Sequence, residues 1–296
     1  QSIALPLALA GGASVKMAAD FDKSMTQIKT LVGVASDEVN GMGETARKMA
    51  VSTAVSSTEA ADALYFITSA GLRGADAMSV LQQSLKGAAL GLGDTKTIAD
   101  LSTSAMNAYG SDVLSASMAT DILVKAVREG KLEASELSGA MGRSLPIASA
   151  MGVKFHEVGA AFASLSRTGT NASEAATQLN GILLSLLDPT KEANDMMASL
   201  GVSAEMFRTA IKQDGLIAAL QLLKKSFGDN ADAQQKIFGN SRALRGILDL
   251  LGANVETTTK IFDSLEDSLG ATNTAFKELE NSAEYKMRKS INNAKE

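Results

Sequence analysis

Cysteine and tryptophan are absent from this sequence, and histidine occurs once, at His156. The lack of cysteine excludes a disulfide framework, a thiolate metal site and a cysteine nucleophile. A single histidine excludes the His clusters that hold catalytic zinc. Aromatic residues make up 4% of the chain and proline occurs 3 times. The formal net charge is −5 with a pI near 5.2, so the Lys/Arg excess that draws a protein to phosphate backbones is missing. Sequence-specific nucleic-acid binding is not expected. Nor is there a long apolar run. Residues 3–15 are apolar and small, but Pro6, Gly11 and Gly12 interrupt them, and a span needs about 20 residues. This stretch also lacks the basic start of a signal peptide. We expect a helix there that packs against a partner.

What is present is aliphatic. Hydrophobic residues are 45% of the 296, mostly Ala, Leu, Met, Val and Ile. That length suits one large or two smaller helical units. Cores rich in Ala and Met adapt rather than lock, and such helices rearrange at low cost. Most of the 13 methionines are read as gap fillers in such a core, with some left for a partner surface.

Helical periodicity recurs almost throughout, and two-residue alternation is nearly absent. Gly71, Gly91, Gly110, Gly130, Gly152, Gly169, Gly201, Gly228, Gly239, Gly252 and Gly270 each follow a periodic segment, where a left-handed C-cap is expected. Start signals stand at the other ends. Ser56 with Glu59, and Asn171 with Glu174, have capping-box spacing, and Glu59 is expected to reach back to its own cap. Asp94 is a further cap, and Asp188 precedes Pro189 as another. The expected fold is all-α, a multi-helix array of short Gly-capped helices. Among its members are helices near 14–32, 112–129, 133–151, 154–168 and 231–250, the last with a break allowed at Gly239. A longer amphipathic or coiled-coil-like stem follows, with helices near 254–269 and 272–294. The domain reading is an apolar connecting segment over 1–16, a helical core over 17–252 and a stem over 253–296. Gln1 at the start and the mid-helix character of 291–296 lead us to expect a fragment of a longer polypeptide.

No constellation for catalysis stands out. His156 falls in the first turn of a helix, where a surface or capping role is the ordinary one. Gly91-Leu92-Gly93-Asp94 lacks the preceding strand and the third glycine of a dinucleotide loop, and a C-cap followed by an N-cap explains it. No nucleophile elbow is present. Glu133 and Glu136, and Glu280 and Glu284, share helix faces, but glycoside hydrolysis needs carboxylates across a cleft, and aromatic sugar platforms are scarce. Solvated helix faces account for both pairs. Small residues at four-residue spacing, as at Ser135 and Gly139 or Gly159 and Ala163, permit tight helix packing in water. Phe262, Leu265, Leu269, Phe276 and Leu279 follow three-four spacing with charges between them, so they are the candidate self-association residues. Packing of the same stripe on the chain itself is the alternative. Catalytic, cofactor and metal residues are all read as none.

Several strings, in order, carry a family resemblance. They are Ala18-Ala19-Asp20-Phe21-Asp22, Ser56 to Leu64, Ser69-Ala70-Gly71, Ala150-Met151-Gly152, Leu165 to Gly169, Ala175 to Asn180, Leu187-Asp188-Pro189, Leu200-Gly201-Val202 and Ile237-Phe238-Gly239. Over about residues 17–252 the chain resembles the core region of phage tail tape measure proteins of the TP901 group. That resemblance implies a non-enzymatic helical protein in the tail tube lumen of the virion. It would set tail length during assembly in the host cytoplasm and leave at infection to carry the genome across the cell envelope. The implied partners are the tail tube protein, tail tip or baseplate hub proteins, tail assembly chaperones, the host envelope, and further copies of itself, as a trimer or another homo-oligomer. Two other classes remain: a membrane-active, pore-forming helical segment, and a generic helical scaffold module.

Overall fold

The computed structural model describes residues 4–228 and 230–295, with side chains from residue 15 to residue 293. Among the described residues there are 18 α-helices and no strand, so the fold is all-α. The expected connecting segment over 1–16 falls partly outside the described residues, and α1 (Ala4–Gln27) runs through the rest. No helix among the described residues is long and apolar enough to cross a membrane.

The chain forms two compact units, 1–103 with 272–296, and 104–271. The first holds α1, a π-helical turn (Ile28–Val32), α2 (Ser36–Thr53), α3 (Ser57–Ser69), α4 (Gly74–Ala89) and the start of α5 (Thr95–Tyr109). It also holds most of α17 (Ala271–Glu280) and α18 (Ala283–Lys295). Here α3 packs on α1, α2 and α4, and α18 lies on α2. One residue anchors α18. Tyr285 is buried, meets Phe276 edge-on at 5.7 Å and donates its hydroxyl to the Ser52 carbonyl.

The second unit contains α6 (Ala116–Glu129), α7 (Ala134–Gly142), α8 (Leu145–Met151), α9 (Phe155–Ser166) and α10 (Ala172–Leu187). It continues through α11 (Lys191–Ser199), α12 (Ala204–Asp214), α13 (Leu216–Phe227), α14 (Ala231–Phe238), α15 (Ser241–Leu251) and α16 (Val255–Glu266). Its centre is α9. Every residue of that helix except His156 is buried, and α6, α7, α8, α10, α15 and α16 all pack on it. A helix apolar on every side has to be enclosed, and Ala, Gly and Ser along α9 let its neighbours come close.

The helix ends are set locally. At Gly71, Gly91, Gly152 and Gly201 the glycine N–H bonds three residues back and the next N–H five back, as in Leu92 N to Gly87 O at 3.0 Å. These are Schellman closures with an apolar residue after the glycine. Ala54 holds the same place after α2, at φ 57°. Gly91 has φ 83° and open space where a Cβ would go. Gly91→Ala is therefore a clean measure of the left-handed strain, and its thermal unfolding should show a loss of about 1–2 kcal/mol. Three of the expected C-caps work differently. Gly130 and Gly252 are not left-handed; a Cβ there would stand 2.7 Å from Ser166 Oγ and 2.3 Å from Leu248 O respectively. Gly239 has φ 8°. At Gly130 and Gly252 glycine serves close approach, not conformation.

Caps at Ser56, Asp94 and Asn171 are as expected, accepting N–H bonds at 3.2, 2.8 and 2.8 Å. Asp188 is not the cap of α11; Thr190 is, with its hydroxyl accepting Ala193 N–H at 3.1 Å. The helix expected over 133–151 breaks into α7 and α8, because Pro146 sits in the first turn of α8 and would have stripped a bond from a continuous helix. The helix expected over 272–294 breaks at 281–282, where Ser282 Oγ accepts Tyr285 N–H at 3.1 Å and starts α18.

Candidate functional site

The chemistry-bearing side chains serve the backbone. Glu157, in the first turn of α9, is buried and accepts two N–H bonds. Its Oε2 takes Lys154 N–H at 2.8 Å, closing the start of its own helix, and its Oε1 takes Leu216 N–H at 2.5 Å, closing the start of α13. One carboxylate thus satisfies two helix N-termini, where the unpaired N–H groups and the helix dipole favour negative charge. Burial raises its pKa, and the two backbone bonds and Lys154 only partly offset that. Tyr109, edge-on to Phe155 at 6.0 Å, has its pKa raised by burial and by the Glu157 charge. His156 is half-buried, and burial together with Lys154 lowers its pKa against the opposing charge of Glu266.

The same device recurs. Glu59 does not reach back to Ser56; its Oε1 accepts the backbone N–H and the hydroxyl of Thr95, at 3.0 and 2.6 Å, at the start of α5. Asp121, 1% exposed on α6, accepts Gly270 N–H at 2.8 Å just before α17. Sequence reasoning missed these remote caps. The signal for Glu157 was its place at the head of an otherwise uncharged buried helix. For Asp94, burial pushes the pKa up, but the Thr97 N–H and hydroxyl and the Lys96 charge outweigh it and the net shift is down.

The carboxylate pairs considered for hydrolysis are exposed. Glu133 and Glu136 bracket the start of α7, and Glu284 pairs with Arg288 at 3.7 Å. Among the described residues no group of three or more His, Asp and Glu could hold a metal ion.

The five self-association candidates divide. Phe262 and Leu265 are buried in α16, within the second unit, and Leu265 lies against Gly159 of α9. Phe276 is buried in α17, within the first unit, with the Lys86 ammonium 6.0 Å from its ring. Leu279 is half-buried. Leu269, in the turn between α16 and α17, is 72% exposed. The turn at 252–254 lies inside the second unit.

Two further apolar features lie on the surface of the second unit. Leu184 and Leu187 stand out from the end of α10, whose last carbonyls accept from Arg208 at 3.1 and 3.2 Å. A cleft of about 350 Å³ opens between Phe227, Ile247, Leu248 and Leu251.

No solved structure matches this chain. The tape measure protein of Pneumococcus phage Dp-1 is 28% identical over 275 residues, which are 91% of this chain and 24% of that protein. A probable tape measure protein of Clostridium phage phiCD119 is 25% identical, covering 92% of this chain and 30% of its own length. Another, of Escherichia phage P2, is 23% identical over 87% and 34%. The chain thus spans from 24% to 34% of the length of these relatives. The profile of the phage-related minor tail protein family matches residues 43–243. With more than half of its length so matched, and with an all-α fold built of short capped helices, the chain belongs to the phage-related minor tail protein family.

Proposed function

We propose that this chain is the helical core segment of a tape measure protein. It lies in the tail tube lumen, sets tail length during assembly and leaves through the tail tip at infection to assist genome passage across the envelope. It works by stacking helix on helix and copy on copy, without catalysis. Its partners are the tube protein, the tip or hub proteins, the assembly chaperones and further copies of itself. The observation that carries this reading is the match of 91% and 92% of the chain to relatives named as tape measure proteins.

The physics favours a segment that is compact in one state and elongated in another. An α-helix advances about 1.5 Å per residue, so a straight helical chain is a ruler. Gln178 of α10 is fully buried and neither its amide oxygen nor its amide nitrogen has a protein partner. Such groups cost about 1–3 kcal/mol each. Phe262, Leu265 and Phe276 reach other copies only when α16 and α17 leave their present seats, while Leu269 is already free to do so.

The test is an in-frame deletion within this region of the full-length gene, with tails measured by negative-stain microscopy. Tails should shorten by about 1.5 Å per deleted residue. Tails of unchanged length would overturn the ruler.

A further inference from the structure

Within the buried faces of α15, α16 and α17 one three-four spacing runs through two breaks in the helix, with Gly246, Leu250, Phe262 and Phe276 buried beside it. Ile247 and Leu251 in α15, Thr258, Ile261 and Leu265 in α16, Ser268 in the next turn, and Thr272 and Ala275 in α17 are all buried. Asn254, exposed in the compact chain, holds the one place left between Leu251 and Thr258. Separate amphipathic helices have no need of a common register, since connections of any length would serve them. Here the connections at 252–254 and 267–270 both preserve it. A three-four repeat held over about four heptads is the pattern of a coiled-coil seam.

Both breaks rest on glycine. The reversal from α15 into α16 brings the place of a Gly252 Cβ to 2.3 Å from the Leu248 carbonyl oxygen, a position open to no other residue. In the second break the Ser268 carbonyl accepts Ala271 N–H at 3.1 Å with Gly270 at φ 79°. That is a type II turn with glycine in its third place. Neither geometry survives in a continuous helix, where both residues become merely weak helix formers.

We propose that α15, α16 and α17 straighten at Gly252 and Gly270 into one helix of about 60 Å, whose seam faces the same seam of a second copy of this chain. The composition of the seam selects an identical partner. Asn254, Thr258, Ser268 and Thr272 are small polar groups set among Ile and Leu, and in parallel copies each meets its own kind at the same height. Asn at such a position fixes register and strand number. In the folded unit the same face of α16 is taken by α9 and α6, so the compact and paired states exclude one another. This inference rests on the self-association reading above; of the residues named there it keeps Leu265 in the seam and sets Phe262, Leu269 and Phe276 one position beside it.

This segment has no cysteine, so an introduced thiol is the only one within it, and tails from the full-length gene without the change are the control for any thiol elsewhere. Thr258 is buried and its neighbour Thr257 is exposed, and Thr→Cys is close to isosteric. Tails assembled from the full-length gene carrying Thr258→Cys or Thr257→Cys are oxidised mildly and run on a non-reducing gel. Facing thiols have a high effective concentration, so Thr258→Cys should give roughly tenfold more chain-to-chain disulfide than Thr257→Cys. A Thr258→Cys thiol that stays monomeric and shielded from a maleimide in tails would overturn the proposal. In solution, adding Gly252→Ala to Thr258→Cys should raise the disulfide yield with helical circular dichroism undiminished. A fall in helicity without more disulfide would count against it. Tails that shorten with deletions yet never cross-link at Thr258 would leave the ruler standing and sink this inference alone.

Discussion

Replacing Gly159 with valine is expected to lower the stability of the second unit by roughly 3 kcal/mol, seen as a fall in the thermal midpoint of roughly 6–12 °C. Gly159 lies mid-way along α9, between α6 and α16. A Cβ there would stand 2.8 Å from Ile122 Cγ2 and 2.9 Å from Leu265 Cδ2. Both neighbours are themselves buried, Leu265 completely, so neither has solvent to move into. The valine adds two more carbons beyond the Cβ, and the small gain in helix propensity over glycine does not offset the overlap. The effect should be coupled to Leu265. Leu265→Ala alone opens a cavity worth about 2–5 kcal/mol, but the double variant should fall short of the sum by about 1–2 kcal/mol, because the new methyls enter the space vacated. Strict additivity would mean that Leu265 is not what Gly159 accommodates. Gly139 is the matched control. It lies in α7 with nothing within 4 Å of a Cβ, so Gly139→Ala should raise stability by about 0.5–1 kcal/mol through helix propensity alone.

That contrast shows where sequence reasoning reaches and where it stops. Ser135 with Gly139, and Gly159 with Ala163, have the same four-residue spacing and read alike as sites of close packing. Only at Gly159 do the neighbours come near, and the difference lies in which remote helices arrive. Local chemistry was legible. Glycine at the end of a periodic run marks left-handed closures at Gly71, Gly91, Gly152 and Gly201, and Ser56, Asp94 and Asn171 cap the helices they precede. The errors were local where a competing signal was overlooked, as with Pro146 dividing α7 from α8 and Ser282 starting α18. They were non-local wherever a side chain had a choice of partners. Glu59 has the spacing to close its own helix, yet the start of α5 offers both an N–H and a hydroxyl, and the carboxylate goes there. Phe262, Leu265 and Phe276 have coiled-coil spacing, but spacing specifies a buried face without specifying what covers it. In the compact chain the cover is the chain itself.

Glu157 is where a single charge matters most, and Glu157→Ala should cost about 3 kcal/mol at neutral pH. The carboxylate holds the first N–H groups of both α9 and α13, and hydrogen bonds to a charged group contribute about 1.5–3 kcal/mol each before desolvation is set against them. The neighbouring Gly215 is fitted to this carboxylate, since a Cβ there would stand 2.5 Å from Glu157 Oε1. Glu157→Gln should be milder, about 1 kcal/mol, because the amide oxygen still accepts one N–H and the buried charge is gone. The pH dependence has a definite sign. Burial raises the folded pKa above the ordinary glutamate value of 4.5, so the folded chain binds the Glu157 proton more tightly than the unfolded chain. The part of its contribution that comes from proton uptake is fully present below pH 4.5 and is lost as pH rises through the folded pKa, leaving the two N–H bonds at neutral pH. Measured as the difference between the native chain and Glu157→Gln in urea unfolding, stability should therefore increase on acidification from neutral pH towards 4.5. A difference that decreases over that window would mean the carboxylate is stabilised as an anion, and that the two N–H bonds outweigh its burial. Equal losses for Ala and Gln at neutral pH would remove the double cap from the account of how α9 and α13 are held.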